Sequence, residues 1–224
     1  SLGFVVVTLE GRGTSGRKKA FSDHRWGDPA AANDLNDRVA GIKQLAAIYP
    51  GIDLERVGIV GPEGDTNIIF AQIDHSDFYK ANVICFFSDP RLGFPVLSET
   101  FGGVPVPGEK ESDVRHAVDC VSSLKGNLLL IEGLRNAAGA TFRLTDALEK
   151  ANKSFDMFPI TRGIQDPTGY VIKRSWDYMV KHLLGEVPPE EFLLRTGMEL
   201  MHDRLLVDIE KRKPGLISIV EENH

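Results

Sequence analysis

The chain repeatedly switches hydrophobic period, and few folds accommodate such a pattern. Short runs of consecutive apolar residues occur at 3–9 (GFVVVTL), 57–60 (VGIV), 83–87 (VICFF), 128–131 (LLLI) and 155–160 (FDMFPI). Runs this short and this apolar, ended by turn residues, predict strands buried on both faces. Between them the period lengthens. Residues 34–48 carry Leu35, Val39, Ile42, Leu45, Ala46 and Ile48 close to helical spacing, and Pro50-Gly51 stops the pattern. Residues 68–73 follow the Gly61-Pro62-Glu63-Gly64 turn, and residues 144–151 and 175–184 (SWDYMVKHLL) are helical in pattern. Five strands alternating with helices predict an α/β fold, a mostly parallel sheet in three layers, because right-handed crossovers place helices on both faces.

The tail departs from this alternation, so the chain divides into residues 1–185 and an extension, 186–224. Pro188-Pro189 opens a helical pattern over 190–212 with Leu194, Met198, Met201, Leu205 and Ile209 on one stripe. Such a stripe predicts docking on the domain's own surface, with a partner or self-association face as the alternative. Pro214-Gly215 then turns the chain into a strand-like LISIV at 216–220.

Charge and cysteine usage narrow the function classes. A formal charge of −6 and a pI near 5.5 argue against a nucleic-acid or anionic-membrane surface, which needs a concentrated basic face. Arg17-Lys18-Lys19 is too short to supply one and reads as a solvated loop. No apolar run approaches the ~18 residues of a membrane span. Cys85 and Cys120 form neither a disulfide framework nor a metal-ligand spacing, so buried free thiols are expected and no metal or cofactor is implied. Gly11 and Gly13 lack the third glycine of a nucleotide loop. The chain opens at Ser1 directly before an apolar run, without an initiator Met or signal peptide. An internal start is therefore open, and the compartment is unread.

Six blocks then match a known pattern in unbroken order over residues 3–184. They are GFVVVTLEGRGTSGRKKAF, DRVAGIKQLAAIYPGIDLERVGIVG, DFYKANV, SETFGGVP, LKGNLLLIEG and SWDYMVKHLL. Together they resemble the catalytic α/β-hydrolase domain of the prolyl oligopeptidase and dipeptidyl peptidase IV family of serine peptidases. The resemblance implies a Ser-Asp-His triad, in which an oriented imidazole takes the proton of a hydroxyl that attacks a carbonyl. It also implies that residues 3–9 form the fourth strand of the fold and 57–60 the fifth, with the third between them. An upstream segment or a separate chain is expected to supply that strand, with the run at 216–220 a less favoured substitute because it must return from the far terminus.

The triad positions implied by the resemblance are all replaced. Glu63 stands where the nucleophile belongs in G-x-S-x-G-G, and Asp65 and Thr66 replace the two glycines after it. Asn136 falls on the acid, Gly163 on the histidine, and Ala138 on the asparagine that holds the substrate carbonyl in dipeptidyl peptidases. The two proline-pocket tyrosines fall near Gly93 and Leu97. Other residues offer no replacement site. His75 reads as a packing residue at a helix end, and His116, His182 and His202 as solvated or packing residues on helices. His24 sits in a polar loop near Trp26 with no role assigned. Glu132 and Arg135 are expected to form a structural ion pair.

The favoured expectation is a non-catalytic hydrolase-fold protein acting in binding, assembly or structural support. Its partner would be a protein, an upstream segment completing the sheet, or a second copy of the chain. The alternative is a serine-type dipeptidyl, acylaminoacyl or prolyl peptidase whose active site is shifted or reassigned.

Overall fold

In the computed structural model, four of the five apolar runs are strands of one parallel sheet. The structure describes residues 2–14, 16–25, 33–61, 66–87, 117–133, 139–161 and 169–190. Over these the order is α1 (Lys19–Ser22), α2 (Asn33–Ile48), β1 (Val57–Gly61), α3 (Thr66–Asp74), β2 (Tyr79–Cys85), α4 (Ala117–Cys120), β3 (Asn127–Gly133), α5 (Gly139–Lys150), β4 (Asp156–Ile160) and α6 (Tyr170–Met179). Strand order follows chain order, β1-β2-β3-β4, and every pair is parallel. Val60 pairs with Val83, Ile84 with Leu130, and Gly133 with Ile160.

The period-two geometry of a strand explains why the central runs are apolar throughout. Leu128 and Leu130 of β3 face one layer, where they join Leu35 of α2, Ile68 and Ile69 of α3, and Leu144 and Leu148 of α5. Leu129 and Ile131 face the other, with Ala81, Val83 and Cys85 of β2 against Tyr178, Met179 and Leu183. Burial on both sides leaves no position for a polar alternation. The polar side chains of Asn82 and Gln72 are nonetheless fully buried, and each ties elements together. Asn82 of β2 donates from Nδ2 to the Ile68 carbonyl at 2.7 Å. Gln72 of α3 donates from Nε2 to the carbonyls of Lys125 and Asn127 at 2.9 and 3.0 Å.

The first apolar run is a correction to the sequence reading. Residues 3–9 form no ladder with any described strand, and Val5 and Val6 are 65% and 88% exposed. Phe4 packs against the core layer of α6, whereas Leu9 lies over Gly41 of α2 on the opposite layer. The segment therefore reaches both helical layers with side chains of opposite parity, as a strand does, but among the described residues it joins no ladder. Backbone groups without a neighbouring edge stay solvated. The loop that follows is held by Arg12, whose guanidinium meets Asp37 of α2 at 2.8 and 2.9 Å. That hydrogen-bonded cation keeps the Asp37 carboxyl below its ordinary value.

Other expectations fare differently. Arg17, Lys18 and Lys19 are exposed. Cys85 is buried and Cys120 half-buried, and neither is in a disulfide. All but the first residue of the helical pattern at 190–212, and the run at 216–220, lie outside the described residues. Among the described residues no helix is long and apolar enough to cross a membrane.

Candidate functional site

Parallel strands bring all four carboxyl ends to one edge of the sheet, and ligand-handling loops of α/β sheets leave from that edge. β1 ends at Gly61, two residues before Glu63. β3 ends at Gly133, three before Asn136, and β4 ends at Ile160, three before Gly163. β2 leads through Phe86 and Phe87 toward the stretch holding Gly93 and Leu97. Glu63, Gly93, Leu97, Asn136, Ala138 and Gly163 themselves lie outside the described residues, as do Arg135, His116 and His202. Their loops leave from strand ends that the structure places side by side.

The approach to Glu63 has a clear steric logic. A Cβ on Gly61 would come within 2.6 Å of Ile68 Cγ1, so only glycine lets α3 return this close to the strand it follows. Asn82 fastens the same helix from below through the Ile68 carbonyl. Its Oδ1 is buried without a hydrogen-bond partner.

At the end of β3 a buried carboxylate joins three elements. Glu132 Oε1 accepts the Gly133 N–H at 2.9 Å, and Oε2 lies 2.5 Å from the Thr141 hydroxyl of α5. The same hydroxyl lies 3.3 Å from the Phe87 carbonyl at the exit of β2. Phe86, just before it, holds φ at +55° and donates its N–H to the Ile131 carbonyl at 2.7 Å. This arrangement fixes where the loops after β2 and β3 begin. Sequence reading singled out Glu132 but missed Thr141, because a threonine at a helix start carries no signal of a partner nine residues back.

The remaining sequence candidates take structural places. His75 sits in the turn after α3, its N–H on the Ala71 carbonyl and its own carbonyl accepting from Phe78 and Tyr79. His182 stacks against Tyr178 with ring centroids 4.2 Å apart. Cys85 is held by burial at a pKa of about 11, which keeps it a thiol and a poor nucleophile. Among the described residues no group of His, Cys, Asp or Glu could hold a metal ion.

Comparison with known proteins gives concordant matches. The model of the prolyl oligopeptidase family matches residues 1–163. Venom dipeptidyl peptidase 4 of Vespula vulgaris is 27% identical over 168 residues, which is 70% of this chain and 21% of that protein. Dipeptidyl peptidase 8 of Mus musculus is 33% identical over 84 residues, 37% of this chain and 9% of that protein. The chain thus spans about a fifth or less of these relatives' length. Among solved structures, dipeptidyl peptidase 4 of Porphyromonas gingivalis superposes with a TM-score of 0.66 at 24% identity, over 78% of this chain and 26% of the other. Acylaminoacyl peptidase of Pyrococcus horikoshii gives 0.62 at 21%, over 81% and 32%. These structural likenesses show an α/β-hydrolase fold.

Proposed function

This chain belongs to the prolyl oligopeptidase family, and from that premise we propose that it is a non-catalytic member whose role is binding or assembly. One observation carries the reading: aligned on the family's motifs, Glu63, Asn136 and Gly163 fall on the three triad positions, while the strands leading to them are kept. A carboxylate at the elbow cannot form the acyl-enzyme that a serine hydroxyl forms. With glycine at the base position, no imidazole takes or returns a proton. Ala138, Gly93 and Leu97 remove the groups that would hold a prolyl substrate.

The open side of the sheet supports a partner. Among the described residues no strand pairs with the outer edge of β1, whose Val60 is 41% exposed, and none pairs with residues 4–9. A strand from a protein partner, or from a longer form of the same protein, satisfies both rows of backbone donors and acceptors.

A fluorophosphonate probe tests the reading. It is expected to leave every serine of the chain unlabelled, and labelling at any serine overturns the proposal in favour of a peptidase with a displaced site. Glu63→Ser alone is expected to restore no dipeptidyl or acylaminoacyl peptidase turnover, because triad members act as a unit.

A further inference from the structure

The last described helix changes geometry where it meets the sheet. α6 runs to Met179 and passes directly into a π-helical turn, Val180–Leu184, closed by Gly185 at φ +70° with its N–H on the Val180 carbonyl. A π turn is a rare, locally unfavourable conformation that persists where packing holds it. His182 lies at its centre. Its ring rests on Tyr178, and its Nε2 is buried without a hydrogen-bond partner. The Tyr178 hydroxyl is hydrogen-bonded to Asp156 of β4. Burial first, then that carboxylate, push the phenol far above its ordinary value, so it stays a donor.

Among the described residues, few charged and titratable groups surround the imidazole. Asp156 comes from β4, and Tyr178 and Lys181 from the same helix. β2 presents Ala81 and Val83, which pack with Met179 and Leu183. Those two side chains also close over β1, where a Cβ on Gly58 would come within 2.7 Å of Met179 Sδ and 2.9 Å of Leu183 Cδ1.

We infer that the Val180–Leu184 turn is a proton-sensitive joint: protonation of His182 loosens it, and with it the hold of Met179 and Leu183 on the edge strand β1. A neutral ring nitrogen lacking a partner is tolerable, but an imidazolium there is a buried charged donor without an acceptor. Asp156, the one nearby carboxylate named above, is already engaged by Tyr178. Burial and Lys181 hold His182 below its ordinary 6.5, with Asp156 opposing them. The loosened state exposes the ring to water and binds the proton more tightly. Opening therefore rises as pH falls through 6.5 toward the lower value of the closed state, and is suppressed above it. The joint does not depend on whether the chain is catalytic.

Amide exchange in the full chain, compared with His182→Gln, tests this. Protection factors, corrected for the intrinsic pH dependence of exchange, are read at residues 183–185 and in β1 at pH 7.5 and 5.5. Wild type is expected to lose roughly three- to tenfold in protection at the lower pH, the upper bound being set by the single pH unit between 6.5 and 5.5. His182→Gln is expected to show no such loss. An unchanged wild type, or the same loss in His182→Gln, overturns the joint. Should His182→Gln fail to fold, the imidazole is titrated by NMR in the wild-type chain. A midpoint below 6.5 with concerted shifts of the 183–185 amides supports the proposal, and a midpoint at or above 6.5, or titration without those shifts, overturns it.

Discussion

Two apolar runs in this molecule have opposite fates. LLLI at 128–131 lies inside β3, paired on both sides and buried on both faces. FVVV at 4–7 has the more β-branched composition, yet it forms no ladder among the described residues and leaves Val5 and Val6 in solvent. Intrinsic strand preference favours the valines over the leucines, so the order is the reverse of what propensity alone gives. What decides is whether a hydrogen-bonding edge and two covering layers are present. β3 has β2 and β4 beside it, with α5 and α6 above and below. Residues 4–9 touch both layers but no described edge.

The comparison is easiest to break at its buried end. Leu130→Ala removes a side chain enclosed between β2, β4 and the α5 layer, and is expected to destabilise the fold by about 2–5 kcal/mol in urea melts. A cost below ~1 kcal/mol would mean that β3 is not the packed centre described above. A smaller effect is expected at the boundary between sheet and edge. Gly58→Ala puts a methyl group 2.7 Å from Met179 Sδ and 3.1 Å from the Ala81 carbonyl. The thioether can swing aside, but the neighbouring strand's backbone cannot. Overpacking of this kind costs about 1–3 kcal/mol, read as a lowered thermal midpoint. No change in midpoint would show that β1 already sits away from β2 in solution.

Where the sequence was legible, a local rule and its tertiary context agreed. The helix at 34–48 begins one residue earlier than its apolar spacing predicts, and Pro50-Gly51 ends it as expected. The runs at 128–131 and 155–160 each became a strand because a parallel neighbour was available. β2 was misplaced toward its carboxyl end: it starts at Tyr79 and stops at Cys85, because Phe86 turns to positive φ. Nothing in VICFF marks that turn, which depends on the Phe86 N–H finding the Ile131 carbonyl of another strand. The π turn at His182 was likewise illegible, since SWDYMVKHLL has ordinary α-helical spacing. The proposed triad positions rest on collinear blocks alone, because the identity of Glu63, Asn136 or Gly163 has no meaning until an elbow, an acid loop and a base loop are assigned. The strand ends that carry those loops do lie on one sheet edge.

The smallest effect belongs to the exposed run. Val6 is 88% exposed and makes no ladder, so Val6→Ser deletes little buried surface and breaks no strand hydrogen bond. Surface changes of this kind fall within about 0.5 kcal/mol. Phe4→Ala in the same segment is the internal control, because Phe4 packs against the core layer of α6 and its loss is expected to be felt more. Chemical denaturation of the two variants therefore separates two pictures. A near-silent Val6→Ser beside a costly Phe4→Ala means the segment is anchored by single side chains while its edge stays open. If Val6→Ser costs more than about 1.5 kcal/mol, the valine is covered in solution, and a strand edge lies against residues 4–9 after all. Because the partner reading draws on two unpaired edges, that outcome would leave β1 as its sole support.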